Sequence, residues 1–403
     1  MTTTDSTEKP YTLISSDCHA GANHVTYREY LEAKYLDDFD AWRGKYSNPF
    51  RDLQDDGRSR NWDDDRRISD LEADGVVAEV VFPNTVPPFF PTGTLVSPQP
   101  TADNLEHRLA GIRAHNRWLA DFCKRHPERR AGIAQIFLND IDEAIKDITF
   151  IAENGLRGGM LLPGVPPDRK DIEPLYSPAY DPIWAACQDM GVIVNHHSGS
   201  GSPDYGKYGA AGVMWIAETA FFSHRALSAM LVSGVFERFP KLTLVLTEQG
   251  GAWVPPMLDS LDYLQRNIRD GRVGELGFPA ENKLSMLPSE YFQRNVWIGL
   301  SFPPPSEVDA RYRIGVDKIM WGNDYPHHEA CWPNSREHLQ RSFSEVSETE
   351  MRQMMTTNIA QVYNFDVAAL DVMAASCGPT PTQVREKLAA IPQGARSPAF
   401  FKN

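Results

Sequence analysis

The sequence predicts an α/β fold, a TIM-type (β/α)8 barrel with loop inserts and a C-terminal helical arm. Two observations support this prediction: eight short apolar runs recur along the chain, and longer segments with helical periodicity separate them. Near-continuous apolar runs are typical of parallel strands buried on both faces, and eight strand–helix units favour a closed barrel over a doubly wound open sheet. The eight predicted strands are residues 11–17, 76–83, 131–138, 158–163, 192–197, 242–248, 296–301 and 318–324.

The segments between these runs carry the signals of amphipathic helices. Residues 105–126 and 142–155 place apolar side chains at helical spacing, and the second segment ends on Gly155, as expected just past a helix C-terminus. Three further stretches do not fit the repeat and are predicted to be loop inserts near strand ends, where barrel loops build active sites. These inserts are residues 37–67, 84–104 and 198–212.

The chain is predicted to divide into a barrel domain, residues 1–365, and a C-terminal arm, residues 366–403. The arm lies beyond the eight repeats, and its segment VAALDVMAA has the apolar periodicity of a docking helix. We therefore expect the arm to act in oligomerisation, and we expect a homodimer or a complex with a related barrel chain.

Composition and charge exclude several classes of partner. Of the 403 residues, 41% are hydrophobic, and the net charge of -14 argues against binding to nucleic acid or to anionic membranes. The five cysteines are odd in number and form no C-x-x-C pair, so that no disulfide framework is indicated. The polar N-terminus MTTTDSTEKP lacks a secretory signal, and no stretch approaches the roughly 18 apolar residues of a membrane-spanning helix. We expect a cytoplasmic protein that acts on a small molecule.

Ionisable residues follow the predicted strands at four strand ends. Asp17 and His19 lie two positions apart, so a strand would direct both side chains to one face. Because the carboxyl ends of all barrel strands meet at one mouth, side chains at these ends converge. The others are His196, His197, Glu248, Asp324, His327 and His328. Several carboxylates packed together repel one another, and a divalent metal ion would neutralise them.

This order of ligands resembles the amidohydrolase superfamily, specifically its amidohydrolase-related, decarboxylase-like branch. Phrases in the usual order of that branch extend the resemblance over residues 11–364; they include RRISDLEADGVVAEVVFPN, LRGGMLLPG, TEQGGAWVPPMLDSLD and IMWGNDYPHHEACWP. The resemblance implies that Asp17 and His19 form a metal-binding pair and that His197 is the ligand from strand five. It also implies that Asp324 binds the metal or moves a proton.

One position departs from the usual pattern of that branch. Glu248 stands in TEQGG, where many relatives have histidine, and it is expected to bind the metal or to lie beside it. The ligand set is then rich in oxygen, so Mn or Fe suits it at least as well as Zn. Glu79, in the second strand, and His224, on a predicted helix, are further candidate ligands that would serve a second ion.

The sequence predicts a metal-dependent hydrolase or a nonoxidative decarboxylase that acts on a small organic acid or amide. Asp324, His327 and His196 are the expected catalytic residues. Two alternatives stay open at this point. One is a carboxylate-rich Fe or Mn oxygenase (hydroxylase) on the same barrel, and the other is a non-catalytic, metal-stabilised barrel that serves as one subunit of a two-chain enzyme.

Overall fold

Eight parallel strands form the barrel that the sequence predicts. They are seen in a computed structural model that describes residues 8–46, 56–92 and 98–402. Hydrogen bonds join each barrel strand to the next one along the chain. In chain order β1 to β8 are Leu13–Ala20, Val76–Pro83, Arg130–Gln135, Gly159–Leu161, Val194–His197, Leu244–Thr247, Val296–Ser301 and Ile319–Gly322.

The barrel closes between β8 and β1 through the loop that follows β8. The backbone N–H of Asp324 donates to the carbonyl of Asp17 at 2.9 Å, and the N–H of His19 donates to the carbonyl of Tyr325 at 2.7 Å. Closure therefore brings the first and last predicted strand ends side by side. The hydrogen bonds that close the barrel therefore involve three of the candidate ligands, Asp17, His19 and Asp324.

Helices cover the outside of the barrel and link its strands. The α-helices α1 to α17 are His24–Glu29, Leu36–Arg43, Asp64–Ala73, Leu105–Lys124, Ile141–Glu153, Asp181–Met190, Ala211–Val232, Val235–Arg238, Val254–Arg269, Pro288–Asn295, Pro305–Asp309, Arg311–Ile314, Ser335–Ser342, Glu348–Arg352, Asn358–Tyr363, Val367–Cys377 and Pro381–Arg385. One turn of π-helix, Gln353–Thr357, joins α14 to α15. Among the described helices, none combines the length and the apolar character that a membrane span requires.

The predicted inserts are only partly described, since residues 47–55 and 93–97 lie outside the described part of the chain. The described part of the first insert, 37–67, contains most of α2 and the start of α3. The third insert, 198–212, runs into the long helix α7. A short antiparallel hairpin that the sequence analysis did not predict, Arg272–Val273 with Leu276–Gly277, lies between β6 and β7.

The C-terminal arm packs on its own barrel. Leu370 and Ala374 of α16 belong to the same buried cluster as Ile14 of β1 and Val77 of β2. On the same helix, Asp371 accepts hydrogen bonds from Thr12 at 2.5 Å and from Lys9 at 2.6 Å. The arm therefore extends the core of the barrel, and its apolar face is largely used within the chain. A separate arm domain and its role in oligomerisation stay predictions.

Candidate metal centre

Five of the predicted residues converge at the carboxyl ends of the strands. Asp17 and His19 come from β1, His197 is the last residue of β5, Glu248 follows β6, and Asp324 follows β8. We call these five residues the strand-end cluster. Glu248 and Asp324 have φ angles of 58° and 63°, a left-handed conformation that is uncommon for residues with a side chain. Such strain persists where the surrounding structure enforces it, often at functional sites.

The donor atoms of the strand-end cluster lie within ligand distance of one another. His19 Nε2 is 3.2 Å from Asp17 Oδ1 and 3.1 Å from Asp324 Oδ1. His197 Nε2 is 3.4 Å from the same Asp17 oxygen and 3.5 Å from Glu248 Oε2. Two ligand atoms at right angles around an ion, each about 2.1 Å from it, lie about 3 Å apart. The spacing is therefore that of ligands around one metal ion.

Hydrogen bonds on the outer side of the rings direct Nε2 of His19 and of His197 inward. His19 Nδ1 lies 3.3 Å from the carbonyl oxygen of Pro83, and His197 Nδ1 lies 3.2 Å from the carbonyl oxygen of Ser198. Because a carbonyl oxygen can only accept, Nδ1 carries the hydrogen in each ring. In a neutral ring Nε2 then presents a lone pair, as metal-binding histidines do.

Several polar atoms of the strand-end cluster are buried without a hydrogen-bond partner. They include His19 Nε2 and both side-chain oxygens of Asp324, whose side chain is fully buried. A buried carboxylate needs a positive charge beside it, which either a protonated histidine, such as His19 at 3.1 Å, or a coordinated cation can supply. The residues present thus fit a divalent ion.

Burial and neighbouring charges together set the pKa values of these residues. Burial would lower the pKa of His19 and of His197, but the adjacent carboxylates raise both to about 9. Burial would raise the pKa of Asp17, but the two histidines hold it well below its usual range. At Glu248, burial and the charge of Asp324 both raise the pKa, to about 7. In the metal-free protein the histidines carry protons that a metal ion must displace.

Two serines that the sequence analysis did not identify as site residues orient the carboxylates. Ser301, the last residue of β7, donates a hydrogen bond to Asp17 Oδ2, and Ser198 donates to Glu248 Oε2 at 2.8 Å. Space beside Asp17 is equally restricted, since a Cβ at Gly322 would lie 2.7 Å from the Asp17 Cβ. Ser301 ends the seventh apolar run, so its position at a strand end was the signal that could have identified it.

Glu79 does not join the strand-end cluster. Its carboxylate accepts from Arg67 Nη2 at 2.6 Å and from Arg130 Nε at 3.2 Å, and all three side chains are buried. Burial would raise the pKa of Glu79, but the two guanidinium groups hold it below its usual range. Arg67 also donates to the carbonyl oxygen of His19 at 2.8 Å. Glu79 therefore belongs to a buried ion-pair network behind β1, because two arginines occupy its oxygens.

His224 and His196 also do not join the strand-end cluster. His224, on α7, stacks on Trp253 with ring centroids 3.7 Å apart, and its Nε2 lies 3.1 Å from the carbonyl oxygen of Gln249. His196 Nδ1 lies 2.9 Å from the carbonyl oxygen of Leu162, and burial lowers the pKa of His196 to about 4. Side chains alternate along a strand, so His196 points away from the site that His197 faces. Neither Glu79 nor His224 belongs to any group of three potential ligands among the described residues.

The last predicted residue, His327, lies against Asp324. Its Nδ1 is 2.8 Å from Asp324 Oδ1, and its ring centroid is 4.0 Å from that of His19. On the other side, His327 Nε2 lies 3.0 Å from Asn84 Oδ1. His328 points elsewhere, with Nδ1 3.1 Å from a guanidinium nitrogen of Arg396.

A cavity of about 580 Å³ is lined by residues that follow β1 and β2, among them Ala22 and Thr85, and not by the strand-end cluster itself. Its wall combines aromatic rings with cationic groups, among them Trp62, Tyr46, Arg43 and Arg58. Asn61 lines the cavity too and is linked through Asn84 to His327. The cavity can therefore hold a small molecule with an apolar body and an anionic group.

Comparison with known proteins agrees with this geometry. A family model described as amidohydrolase matches residues 16–365. The chain belongs to this amidohydrolase family. The match spans nearly all of the barrel and confirms the family that the sequence motifs indicate.

Curated relatives of this amidohydrolase include named decarboxylases. It is 24% identical over 267 residues to gamma-resorcylate decarboxylase of Rhizobium sp. (strain MTP-10005), a match that covers 64% of this chain and 76% of the relative. It is also 24% identical over 317 residues to 2-amino-3-carboxymuconate-6-semialdehyde decarboxylase of Dictyostelium discoideum, covering 76% of this chain and 78% of the relative.

Solved structures share the fold of this amidohydrolase. A 5-carboxyvanillate decarboxylase of Novosphingobium aromaticivorans, complexed with manganese and 4-hydroxy-3-methoxy-5-nitrobenzoic acid, matches with a TM-score of 0.67 and 20% identity, over 89% of this chain and 97% of that one. A 2,6-dihydroxybenzoate decarboxylase of Rhizobium matches with a TM-score of 0.62 and 19% identity, over 87% and 98%. At this level of identity, the likeness shows the barrel fold.

Proposed function

We propose that this amidohydrolase is a metal-dependent, nonoxidative decarboxylase of a small aromatic carboxylic acid. The observation that carries the proposal is the strand-end cluster, whose donor atoms have the spacing of ligands around one divalent ion. A cavity with aromatic rings and arginines in its wall is linked to this region through Asn61, Asn84 and His327. The curated relatives named above are decarboxylases, and this supports loss of carbon dioxide over hydrolysis of an amide.

Asp17, His19, His197 and Asp324 are the residues that would hold the metal ion, with Glu248 as a further ligand or close neighbour. A bound divalent ion supplies a Lewis acid that binds the substrate's oxygen atoms and stabilises negative charge as it develops. Two histidines with up to three carboxylates form an oxygen-rich donor set, which favours Mn or Fe over Zn. The manganese in a related structure supports the same choice.

The cavity wall would bind the rest of the substrate. Arg58 and Arg43 act on the same space, since burial and then the charges of these two arginines lower the pKa of His24, which also lines the cavity. Arginine matches the planar geometry of a carboxylate, and the rings of Trp62 and Tyr46 provide surfaces for an aromatic ring. The carboxyl group that leaves would point towards the strand-end cluster.

The reaction requires a proton at the ring carbon that loses the carboxyl group. Asp324 is the residue best placed to move that proton, because its buried carboxylate belongs to the strand-end cluster and lies 3.1 Å from His19 Nε2. His327 Nδ1 lies 2.8 Å from the same carboxylate, so a proton or a cation between the two would set the charge of Asp324. His196 faces away from the strand-end cluster, so its assignment as a catalytic residue is withdrawn.

The alternatives differ from decarboxylation in what they consume. An oxygenase would gain from the oxygen-rich donor set but needs dioxygen, and a hydrolase needs water and an amide. A structural metal site is closed, with every coordination position filled by protein. The relatives named above are enzymes, which argues against that last possibility.

The test uses manganese-loaded enzyme and a panel of hydroxybenzoic acids that includes 2,6-dihydroxybenzoate and 5-carboxyvanillate. We expect one carbon dioxide released per substrate consumed, no oxygen uptake, and one deuterium on the product ring when the reaction runs in D2O. Oxygen consumed in step with turnover would establish the oxygenase instead. A metal-loaded enzyme that releases carbon dioxide from none of these acids would contradict the proposal.

We also infer a homodimer in a reducing, cytoplasmic environment. Large apolar side chains on α7 are highly exposed, among them Val213, Ile216 and Phe221, and burial against a second copy would cover them. All five cysteines are unpaired. Light scattering should give twice the chain mass of 45.3 kDa. The mass of a single chain, or co-purification of a related barrel chain, would contradict a homodimer.

A further inference from the structure

The hydrogen-bond ladder between β1 and the loop after β8 ends at the carbonyl oxygen of His19. The N–H of His19 donates to the carbonyl of Tyr325 at 2.7 Å, so the next donor in a parallel ladder would be the N–H of His327. That N–H donates instead to the carbonyl of Asp324, at 3.0 Å, within the same turn. Because a buried carbonyl oxygen needs a donor, another group has to supply it.

Arg67 of α3 supplies this donor. Its Nη1 donates to the His19 carbonyl at 2.8 Å and to the carbonyl of Arg60 at 2.9 Å. Its Nε and Nη2 donate to the Glu79 carboxylate at 2.9 Å and 2.6 Å. The Arg67 side chain is fully buried, and all three nitrogens of its guanidinium group donate. Because a guanidinium group is planar and rigid, the pair with Glu79 fixes the position of Nη1.

The second backbone partner of His19 is also held by α3. The guanidinium carbon of Arg67 lies 4.8 Å from the ring centroid of Tyr325, whose carbonyl accepts from the His19 N–H. The hydroxyl of Tyr325 donates to Asp70, on the same helix, at 2.9 Å. Both hydrogen-bonding groups of the His19 backbone therefore depend on α3.

The direction of the His19 ring follows from this backbone. A side chain stands roughly perpendicular to its strand, so a rotation of the His19 peptide would turn the ring with it. In the observed position Nε2 lies 3.2 Å from Asp17 Oδ1 and 3.1 Å from Asp324 Oδ1. A metal ligand has to be held to within about 0.5 Å of its productive position. Loss of the donor at the His19 carbonyl would therefore weaken the binding of an ion.

We propose that Arg67 is a positioning residue of the metal centre, and that its hydrogen bond to the His19 carbonyl directs the His19 ring at the ion. This inference rests on the proposed metal-dependent function. Glu79 balances the charge of Arg67 at 2.6 Å, so the guanidinium group acts through its geometry and not as a free charge near the ion. The buried ion pair behind β1 thus serves the metal centre as well as the fold.

The test compares Arg67→Lys with Arg130→Lys by calorimetric titration of metal-free protein with Mn(II). Lysine keeps the positive charge, but it cannot bond Glu79 and the His19 carbonyl together as a rigid fork does. We expect Arg67→Lys to bind Mn(II) about 10- to 100-fold more weakly than the wild type. The electron paramagnetic resonance signal of the bound ion should change as well, because the geometry of the ligands changes.

Arg130→Lys is the matched control from the same network. Arg130 is equally buried and donates to Glu79 at 3.2 Å, but its other donors bond Asp64 and the carbonyl of Phe122 instead of His19. This variant should lose stability in denaturant unfolding and keep the wild-type affinity for Mn(II). Wild-type affinity in Arg67→Lys, or an equal loss of affinity in both lysine variants, would assign Arg67 to stability alone and overturn the inference.

A second pair of variants applies if circular dichroism shows that Arg67→Lys does not fold. Arg67→Gln combined with Glu79→Gln removes both charges of the pair, and it should bind Mn(II) more weakly than Glu79→Gln alone; equal affinities would overturn the inference. The proposed function is tested separately. Wild-type protein that binds Mn(II) and releases no carbon dioxide would overturn the function and leave the role of Arg67 intact, whereas a protein that binds no Mn(II) would overturn both.

Discussion

His19 Nε2 lies 3.1 Å from Asp324 Oδ1, and this contact joins the first strand of the barrel to the loop after the last. His19 also lies 3.2 Å from Asp17, so one imidazole nitrogen faces two carboxylates that come from opposite ends of the barrel sequence. The metal site and the closure of the barrel therefore depend on the same few residues. Binding of a metal ion should stabilise the fold as well as supply the chemistry.

Asp324→Asn should reduce decarboxylation strongly while the barrel stays folded. The amide keeps the size of the side chain but cannot carry a proton to the ring carbon, and loss of such a group reduces kcat by about 10²- to 10⁴-fold. Turnover at saturating substrate measures the effect, with metal content determined in parallel. Asp317→Asn, at an exposed position before β8, is the control and should keep wild-type turnover. A variant at Asp324 with normal kcat would remove this residue from the reaction.

Metal-free protein should lose stability as the pH rises from 6.5 to 9. The carboxylates raise the pKa of His19 and His197 from 6.5 to about 9, so the folded state binds more protons than the unfolded state in that window. The stabilisation from these protons is complete below pH 6.5 and is lost as the pH passes 9. Thermal melts with a chelator, from pH 6 to pH 10, should show Tm falling over this range.

Metal-loaded protein provides the comparison for these melts. Because the ion replaces the protons on the histidines, its Tm should vary much less between pH 6.5 and 9, and metal affinity should increase over the same window. A metal-free protein whose Tm is flat or rises over this range would show that His19 and His197 are neutral without metal.

Arg58→Ala should weaken substrate binding more than it slows turnover. The guanidinium lines the cavity and would bind the anionic part of the substrate that does not react, so this contact would be the same before and during the reaction. One charge-assisted hydrogen bond contributes about 1.5–3 kcal/mol, which corresponds to a rise in KM of roughly ten- to a hundredfold. Steady-state kinetics separates the two constants. Arg313→Ala, an exposed arginine that pairs with Asp259, should change neither of them.

Glu79→Gln should destabilise the protein and leave its metal content unchanged. The variant breaks a buried contact with Arg67 and leaves a guanidinium without its charge partner, which typically costs about 3–5 kcal/mol. Denaturant unfolding of the metal-loaded protein measures the free energy, and elemental analysis measures the ion. Loss of a metal equivalent with little loss of stability would restore Glu79 as a ligand.

The sequence by itself determined the barrel and most of the strand-end cluster. Eight apolar runs separated by helices leave few folds available, and the carboxyl ends of parallel strands must meet at one mouth. The positions of Asp17, His19, His197, Glu248 and Asp324 at those ends could therefore be read from order alone. Side chains alternate along a strand, so His196 and His197 must point to opposite faces. Once His197 is assigned to the site, His196 is predicted to point away from it.

Only the tertiary structure decided the roles of residues whose partners lie far away in the chain. Glu79 points to a buried pair of arginines, one of them on a helix within the first insert, and no local pattern records that pairing. The placement of His327 depends in the same way on hydrogen bonds through Asn84 to Asn61, which come from two different inserts. Residue type and spacing determine the element and the strand end at which a side chain lies. Packing between distant segments determines which groups neutralise the charge of that side chain and which groups form hydrogen bonds with it.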